Sequence, residues 1–316
     1  MKFSILVAAY NAQKYLPRCL DSLFQQTEQS LQVIVIDDCS TDDSLQVEQS
    51  YTKVRDNCVL VLHTPHNSGQ AEARNLGLKY AVGELTLMVD ADDWLAPDCL
   101  EQIWRTYTSA PDIDAVPMRL RLVAGDGMEQ EWNDPSQLPV IMTGTQACAY
   151  TLSRKLHGLY AVRTSLHQEF PFDTSSRLYS DDNTTYIHYL HSRKVARSEG
   201  IYYYRQHAAS ATHQYGLSRL MFLRANMSLR LQLEQYGCDD DILRLCEEHC
   251  WNNYLGIYRE MQELRRSDFL TEEQEDEIRT TLDEAYHALR LDRLGKKRLP
   301  FALFQLEQKA IMTVKR

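Results

Sequence analysis

No apolar run in this 316-residue chain approaches the ~18 uninterrupted residues that a membrane-spanning helix requires. Basic residues are in deficit: 34 Lys and Arg stand against 44 Asp and Glu, a net charge of −10 with a pI near 5.5. Free nucleic acid is therefore excluded as a ready partner, because neutralising phosphates needs a basic surface. An acidic protein holding a cation between itself and an anionic substrate is not excluded. The apolar run that follows Lys2 ends at Tyr10-Asn11 without a small-residue cleavage site, so a buried strand is expected there and not a signal peptide. Paired cysteine couples are also missing. The eight cysteines (19, 39, 58, 99, 148, 238, 246 and 250) are scattered, which predicts reduced thiols and a cytoplasmic protein. Cys238, Cys246, His249 and Cys250 lack the second couple of a structural zinc site, and they fall on an apolar helical stripe.

What is present is an ordinary globular composition, 44% apolar and 25% charged, enough for one large domain or two smaller ones without disulfide staples. The first 95 residues alternate strand and helix patterns. Ile5–Ala9, Val33–Ile36, Val59–Leu62 and Leu85–Val89 read as buried strands. Pro17 opens a helix with a stripe at Leu16, Leu20, Leu23 and Phe24, and a second helix is predicted from Gly69 to Tyr80. Strand–helix–strand units of this length imply parallel strands, whose carboxyl ends are where ligands sit. Three of the four deliver polar groups at that end: Tyr10-Asn11, Asp37-Asp38, and Asp90-Ala91-Asp92-Asp93. Residues 96–215 are broken by prolines, with strand-like pieces at Ala115–Met118 and Ile201–Tyr204. From about 216 the pattern is helical, with a stripe from Ile242 to Leu264 and a capping box at Thr271–Gln274 opening another helix. These shifts divide the chain into 1–215 and a helical 216–316.

Asp90 and Asp92 project the same way from an extended segment, so both carboxylates can approach one object. Their mutual repulsion is relieved by a hard divalent cation, and Mg²⁺ or Mn²⁺ takes one or two carboxylates plus phosphate oxygens of a substrate. The same residues also suit a solvated acidic turn in which Asp92 or Asp93 caps the next helix. Asp37-Asp38 can accept hydrogen bonds from a base or ribose, and Ser40 or Thr41 can cap the following helix.

Four blocks resemble the family 2 glycosyltransferases of GT-A fold, the bacterial polysaccharide and lipopolysaccharide type. They are Ser4–Asn11, Val33–Asp42, His66-Asn67-Ser68-Gly69 with Ala73–Gly77, and Gly83–Trp94. The resemblance implies a Rossmann-like α/β architecture, a mostly parallel sheet flanked by helices, with a C-terminal helical extension. It also implies a nucleotide-sugar pocket formed by Ala8, Tyr10, Asp37, Asp38, Arg74, Asp90 and Ala91. Asp38 would bind uracil and Arg74 would face base or diphosphate, while Asp90, Asp92 and His207 would hold Mn²⁺ or Mg²⁺. Leu178–Asn183 and Tyr202–His207 with Ser210-Ala211-Thr212 resemble the second half of the family pattern. That match implies Asp182 as catalytic base, supported by Asp181 where the family usually has Glu. Arg205, His157, Arg163 and Trp94 are candidates for diphosphate or acceptor contact, although Gly158 stands where the family often carries lysine.

The implied activity is inverting transfer from a nucleotide-sugar, a UDP-sugar, to a hydroxyl of a glycan or lipid-linked glycan in cell-surface polysaccharide synthesis. A sugar-phosphate nucleotidyltransferase would share sheet and acidic site, yet the turn Ala8–Gln13 lacks the glycines that let backbone approach a triphosphate. A non-catalytic nucleotide-sugar-binding module is the other alternative. Residues Leu291–Arg316 carry net +5 against −15 for the rest, with Leu299–Phe304 adding apolar groups. Such a tail suits either peripheral contact at the inner face of a membrane or packing on the acidic body, and the C-terminal helices could pair two chains.

Overall fold

The structure is a computed structural model that describes residues 1–54, 58–207, 216–267 and 270–298. Strands β1 (Phe3–Ala9), β2 (Leu31–Asp37), β3 (Val59–His63) and β4 (Leu85–Met88) lie parallel in the order β3-β2-β1-β4. β1 is closed to solvent on both faces, which is why its sequence is a continuous apolar run. Helix α1 (Leu16–Phe24) starts on Pro17 and buries Leu16, Cys19, Leu20 and Leu23 against one face of the sheet. Helices α2 (Ser44–Val54) and α3 (Gln70–Leu78) complete the crossovers, and Ala71, Ala73 and Leu78 of α3 pack on the other face. All four expected strands and the Pro17 and Gly69 helices are present. The cap of α2 comes from Asp42, which accepts from the Ser44 N–H at 3.0 Å, rather than from Ser40 or Thr41.

Beyond residue 90 the order becomes harder to read locally. After β5 (Trp94–Leu95) and α4 (Cys99–Tyr107) come β6 (Ile113–Pro117), β7 (Arg119–Val123), β8 (Glu129–Glu131) and β9 (Ile141–Thr143). Helix α5 (Gly144–Leu152), β10 (Tyr160–Arg163), α6 (Thr164–Glu169), α7 (Asp181–His191), β11 (Lys194–Ala196) and β12 (Ile201–Arg205) follow. β10 inserts antiparallel between β4 and β6, and β11 and β9 extend the main sheet to eight strands in the order β3-β2-β1-β4-β10-β6-β11-β9. A second sheet, β5-β12-β7-β8, stands beside the carboxyl end of β4.

Helices α8 (Leu220–Gln235), α9 (Asp240–Ser267) and α10 (Glu272–Ala288) form the helical C-terminal part. Leu229, Leu233, Ile242, Cys246 and Cys250 share one core with α5, α7 and β10, while Trp251, Tyr254, Ile257, Met261, Ile278 and Leu282 make another among the helices. The capping box at Thr271 and Gln274 is formed as expected. Most of the basic tail, residues 299–316, lies outside the described residues, as do Ser210, Ala211 and Thr212. Among the described residues no helix is long and apolar enough to cross a membrane.

Candidate active site

The first two parallel strands end in sharp turns, and these turns are tied to one another. Asn11 and Cys39, which follow β1 and β2, take left-handed backbone angles (φ 51° and 64°). Such turns survive only where surrounding bonds over-determine them. Asn11 Oδ1 accepts from the Thr41 N–H at 2.8 Å, and the Asn11 N–H donates to Ser40 Oγ at 3.0 Å. These bonds fuse the two loops into one rim, from which Tyr10 projects half exposed.

Asp38 is buried at the end of β2, where its carboxylate organises the next loop. Oδ1 accepts from Thr64 Oγ1 (2.7 Å), the Ser68 N–H (2.9 Å) and Ser68 Oγ (2.8 Å), and Oδ2 from the Gly69 N–H (2.8 Å). Gly69 needs its φ of 93° there, since any Cβ would strike Arg177. With four donors in place, Asp38 builds the pocket wall, and it could meet a base only by exchanging one of them. Asp37 is also buried and accepts weakly from the Ser40 N–H (3.2 Å). Beside this loop a recess of about 200 Å³ is lined by residues that include His66, Asn67, Ser68, Glu72 and Arg177. Asn67 and Arg177 are joined at 2.6 Å, although they are 110 residues apart in the chain.

Arg74 differs from its expected place. Its side chain is 1% exposed, and both terminal nitrogens are taken up by carboxylates. One terminal nitrogen pairs with Asp90 at the end of β4, and the other reaches Asp181 at the start of α7 at 2.5 Å. Burial works against the guanidinium charge, but Asp90 and Asp181 outweigh it and raise its pKa. Arg74 is thus a buried clamp that fastens the N-terminus of α7 to the strand end. Asp181 is spent on that clamp, which leaves the next residue free. Asp182 is exposed. Loss of water to the surrounding walls, and then the negative charge of Asp181, push its pKa up to about 7, with Arg74 opposing. Asp90 is raised to about 6, first by burial, against the pull of Arg74.

Past β4 the chain passes Ala91, buried, to Asp92. His207 Nε2 and Asp92 Oδ2 stand 2.8 Å apart, and the imidazole stacks on Tyr15 with ring centroids 4.9 Å apart. The Arg205 Nε–H donates to the Asp92 carbonyl at 2.8 Å. This corner is held by a residue that sequence reading treated only as a cap. Asp93, 1% exposed, accepts from Tyr202 Oη (2.8 Å) and from the Arg205 N–H (2.7 Å), and Tyr202 Oη in turn accepts from the Asp90 N–H (3.0 Å). Burial, then Asp90 and Asp92, push the Asp93 pKa up to about 9. Trp94, 7% exposed, stacks on Tyr203 and supports Arg205 instead of offering a free face.

Two further candidates make structural contacts. Arg163 pairs with Leu85 in register, at the amino end of β4, because β10 runs antiparallel; its Nε–H donates to Asp114 at 3.0 Å. It is a structural ion pair at the opposite edge of the sheet. His157 packs its ring against Trp132 and accepts the Leu159 N–H at 3.1 Å. Burial lowers its pKa to about 4, so it is a neutral structural group. A Cβ on Gly158 would lie 2.7 Å from Thr185 Oγ1 of α7, so a lysine at that position would require the Thr185 side chain to move.

The sequence model described as Glycosyl transferase family 2 matches residues 4–161, half of the chain. The chain belongs to glycosyl transferase family 2. Among relatives of this family 2 chain, the poly(ribitol-phosphate) beta-N-acetylglucosaminyltransferase TarS of Staphylococcus aureus is 29% identical over 263 residues, 79% of this chain and 44% of TarS. The poly(ribitol-phosphate) beta-glucosyltransferase of Bacillus spizizenii is 28% identical over 206 residues, 65% of this chain and 32% of that protein. The chain therefore spans less than half the length of these curated relatives. The crystal structure of Staphylococcus aureus TarS 1-349 in complex with UDP-GlcNAc matches with a TM-score of 0.73 at 22% identity, over 93% of this chain and 83% of that one. The fold is that of GT-A glycosyltransferases.

Proposed function

We propose that this family 2 chain transfers a sugar, with inversion, from a UDP-sugar to a hydroxyl of a glycan or lipid-linked glycan acceptor in cell-surface polymer synthesis. The observation that supports the reading most is Arg74. It binds Asp90 on the nucleotide side and Asp181 beside the proposed base, so one buried charge sets the spacing of both halves of the reaction. The solved TarS complexes with UDP and UDP-GlcNAc support a uridine donor.

The nucleoside would lie along the rim made by Ala8, Tyr10, Asp37 and the Asp38 loop. A hydroxyl is a poor nucleophile until its proton leaves. Asp182, with a pKa near 7, would accept that proton as the new bond forms at the anomeric carbon, a contribution of roughly 10²–10⁴ in rate. A single base opposite the leaving group gives inversion.

The departing nucleoside diphosphate needs its charge met. Among the described residues no group of three His, Cys, Asp or Glu forms a complete metal cage. A cation that draws ligands from a substrate diphosphate needs only one or two from the protein, and Asp92 with His207, 2.8 Å apart, fits that role. Bound there, Mn²⁺ or Mg²⁺ would supply electrostatic stabilisation of the leaving diphosphate. Asp90, engaged by Arg74, would help place the ribose. Peripheral membrane contact through 291–316 and pairing of two chains through α8–α10 belong to the same reading.

The test is a coupled assay for UDP release with UDP-sugars and glycan acceptors. The wild-type chain should release UDP with an acceptor, and Asp182→Asn should lose at least roughly 10²-fold in turnover while retaining nucleotide-sugar affinity. Near wild-type turnover in Asp182→Asn would make the base assignment wrong.

A further inference from the structure

Asp182 is exposed, so its direction is set by the backbone on either side of it. Arg74 fastens Asp181, the residue before. The residue after is fastened by the C-terminal helices. Asn183 is 3% exposed, and its Nδ2 donates both to Asp173 Oδ2 (2.7 Å) and to the carbonyl of Ala225 in α8 (2.8 Å). An amide nitrogen has two hydrogens, and both are spent here.

The loop 171–180 that leads into α7 is pinned at both ends. At its start, Asn75 of α3 exchanges two bonds with the Phe172 backbone, each 2.8 Å. Thr184 Oγ1 accepts from the Asp173 N–H at 3.0 Å, and Ser180 Oγ donates to the Asp173 carbonyl at 2.6 Å. Because Ser180 spends its hydroxyl on the loop, α7 begins without a side-chain cap. Near the end of the loop, Tyr179 takes left-handed backbone angles (φ 71°), which a bulky side chain rarely adopts. Such a residue persists only where its surroundings over-determine it. Here they include α8. The buried Tyr179 ring stacks on Phe222, with centroids 4.0 Å apart and planes inclined by 24°. The Arg219 guanidinium lies over both rings, 5.0 Å from that of Phe222, and is tied to Glu260 of α9 at 3.4 Å.

Packing one helix on another needs neither feature. A buried amide bonded to a neighbouring helix, and an aromatic residue held at positive φ, both carry costs that plain apolar contacts avoid. They fall three residues before and one residue after the same carboxylate. We infer that Asn183 and the Tyr179–Phe222 stack are positioning groups for the base, so that α8 sets where Asp182 stands. This rests on the reading of Asp182 as the base and deepens it. Arg74 grips the first turn of α7 from the sheet, and α8 grips it from the other side. A small displacement of that turn changes the distance from the Asp182 carboxylate to the attacking hydroxyl, to which proton transfer is steeply sensitive.

The experiment measures UDP release by the full chain, with each variant first shown to be folded by its thermal melt. Asn183→Ala should lower kcat by roughly tenfold or more while the KM for the UDP-sugar stays within about threefold. Phe222→Leu keeps an apolar side chain but removes the ring, and it should show the same split. Phe222→Tyr keeps the ring and should restore kcat to within about twofold of the wild type. Wild-type kcat in Asn183→Ala or in Phe222→Leu overturns the inference. So does a Phe222→Tyr variant as slow as Phe222→Leu, or a loss carried by KM, since either assigns these residues to general packing. Should Asn183→Ala fail to fold, the Phe222 pair decides by the same criteria. Asp182→Asn is assayed alongside: near wild-type turnover there refutes the base reading itself, whereas its loss beside an unaffected Asn183→Ala refutes only the role of α8.

Discussion

Arg74 and Asp181 meet at 2.5 Å across 107 residues of sequence, and Arg74 makes the contact from a fully buried position in α3. The pair holds the first turn of α7 against the strand end that carries Asp90. A charge taken this far from water is stable only while both partners remain. Arg74→Ala should therefore cost about 3–5 kcal/mol, since it strands Asp90 and Asp181, and should abolish turnover as well. Arg74→Lys cannot span two carboxylates with the same planar fork and should recover stability only in part. Thermal melts of both variants, read beside UDP release, check this.

The pH profile follows from Asp182. The base works only when deprotonated, and its pKa is pushed up to about 7. Turnover should rise with pH to a plateau above 7 and fall tenfold per unit on the acidic side. An acidic limb centred near pH 4 would contradict the raised Asp182 and assign the limb to a carboxylate without that shift.

Asp92 and His207 are expected to act together on the cation. Asp92→Ala should remove the Mn²⁺ dependence of nucleotide binding, and His207→Ala should weaken it by roughly 10–100-fold in metal affinity. Titrations of UDP with and without Mn²⁺ compare the two variants directly.

Stability should also respond to one carboxyl that takes no part in the reaction. Glu48 of α2 is fully buried, its two oxygens have no hydrogen-bond partner among the described residues, and its pKa is raised to about 8 by burial and then by Asp37 and Asp42. The folded chain holds this proton more tightly than the unfolded one. The stability it contributes is complete below about pH 4 and is lost as pH rises toward 8, at about 1.4 kcal/mol per unit. Glu48→Gln should flatten that decline, so the variant should gain on the wild type between pH 5 and pH 9 in denaturant titrations.

The parallel half of the fold was legible because its signal is local. A β-branched run that stops at Asp37-Asp38 or Asp90 states both the strand and the end at which a ligand meets it. Arg74 was not legible in the same way. Its position on a helix is clear from sequence, but its burial depends on Phe172 and Asp181 arriving from a hundred residues later. Arg163 failed for a topological reason: nothing in Tyr160–Arg163 announces that β10 runs against its neighbours, and that reversal carries the side chain to the wrong edge of the sheet. Asp93 looked like a cap beside Asp92, and only pairing of β5 with β12 brings Tyr202 to it. Local chemistry was readable; long-range partners were not.

The most direct measurement is a thermal-shift panel of nucleotide-sugars with and without Mn²⁺. A ligand at ~100-fold excess over its dissociation constant adds about 2.7 kcal/mol to stability, enough to move the melting temperature clearly. At least one UDP-sugar should stabilise the wild-type chain strongly with Mn²⁺ and weakly without it, and Asp92→Ala should erase the difference. A panel in which no nucleotide-sugar shifts the transition, with or without the metal, would contradict a donor site built from these strand ends.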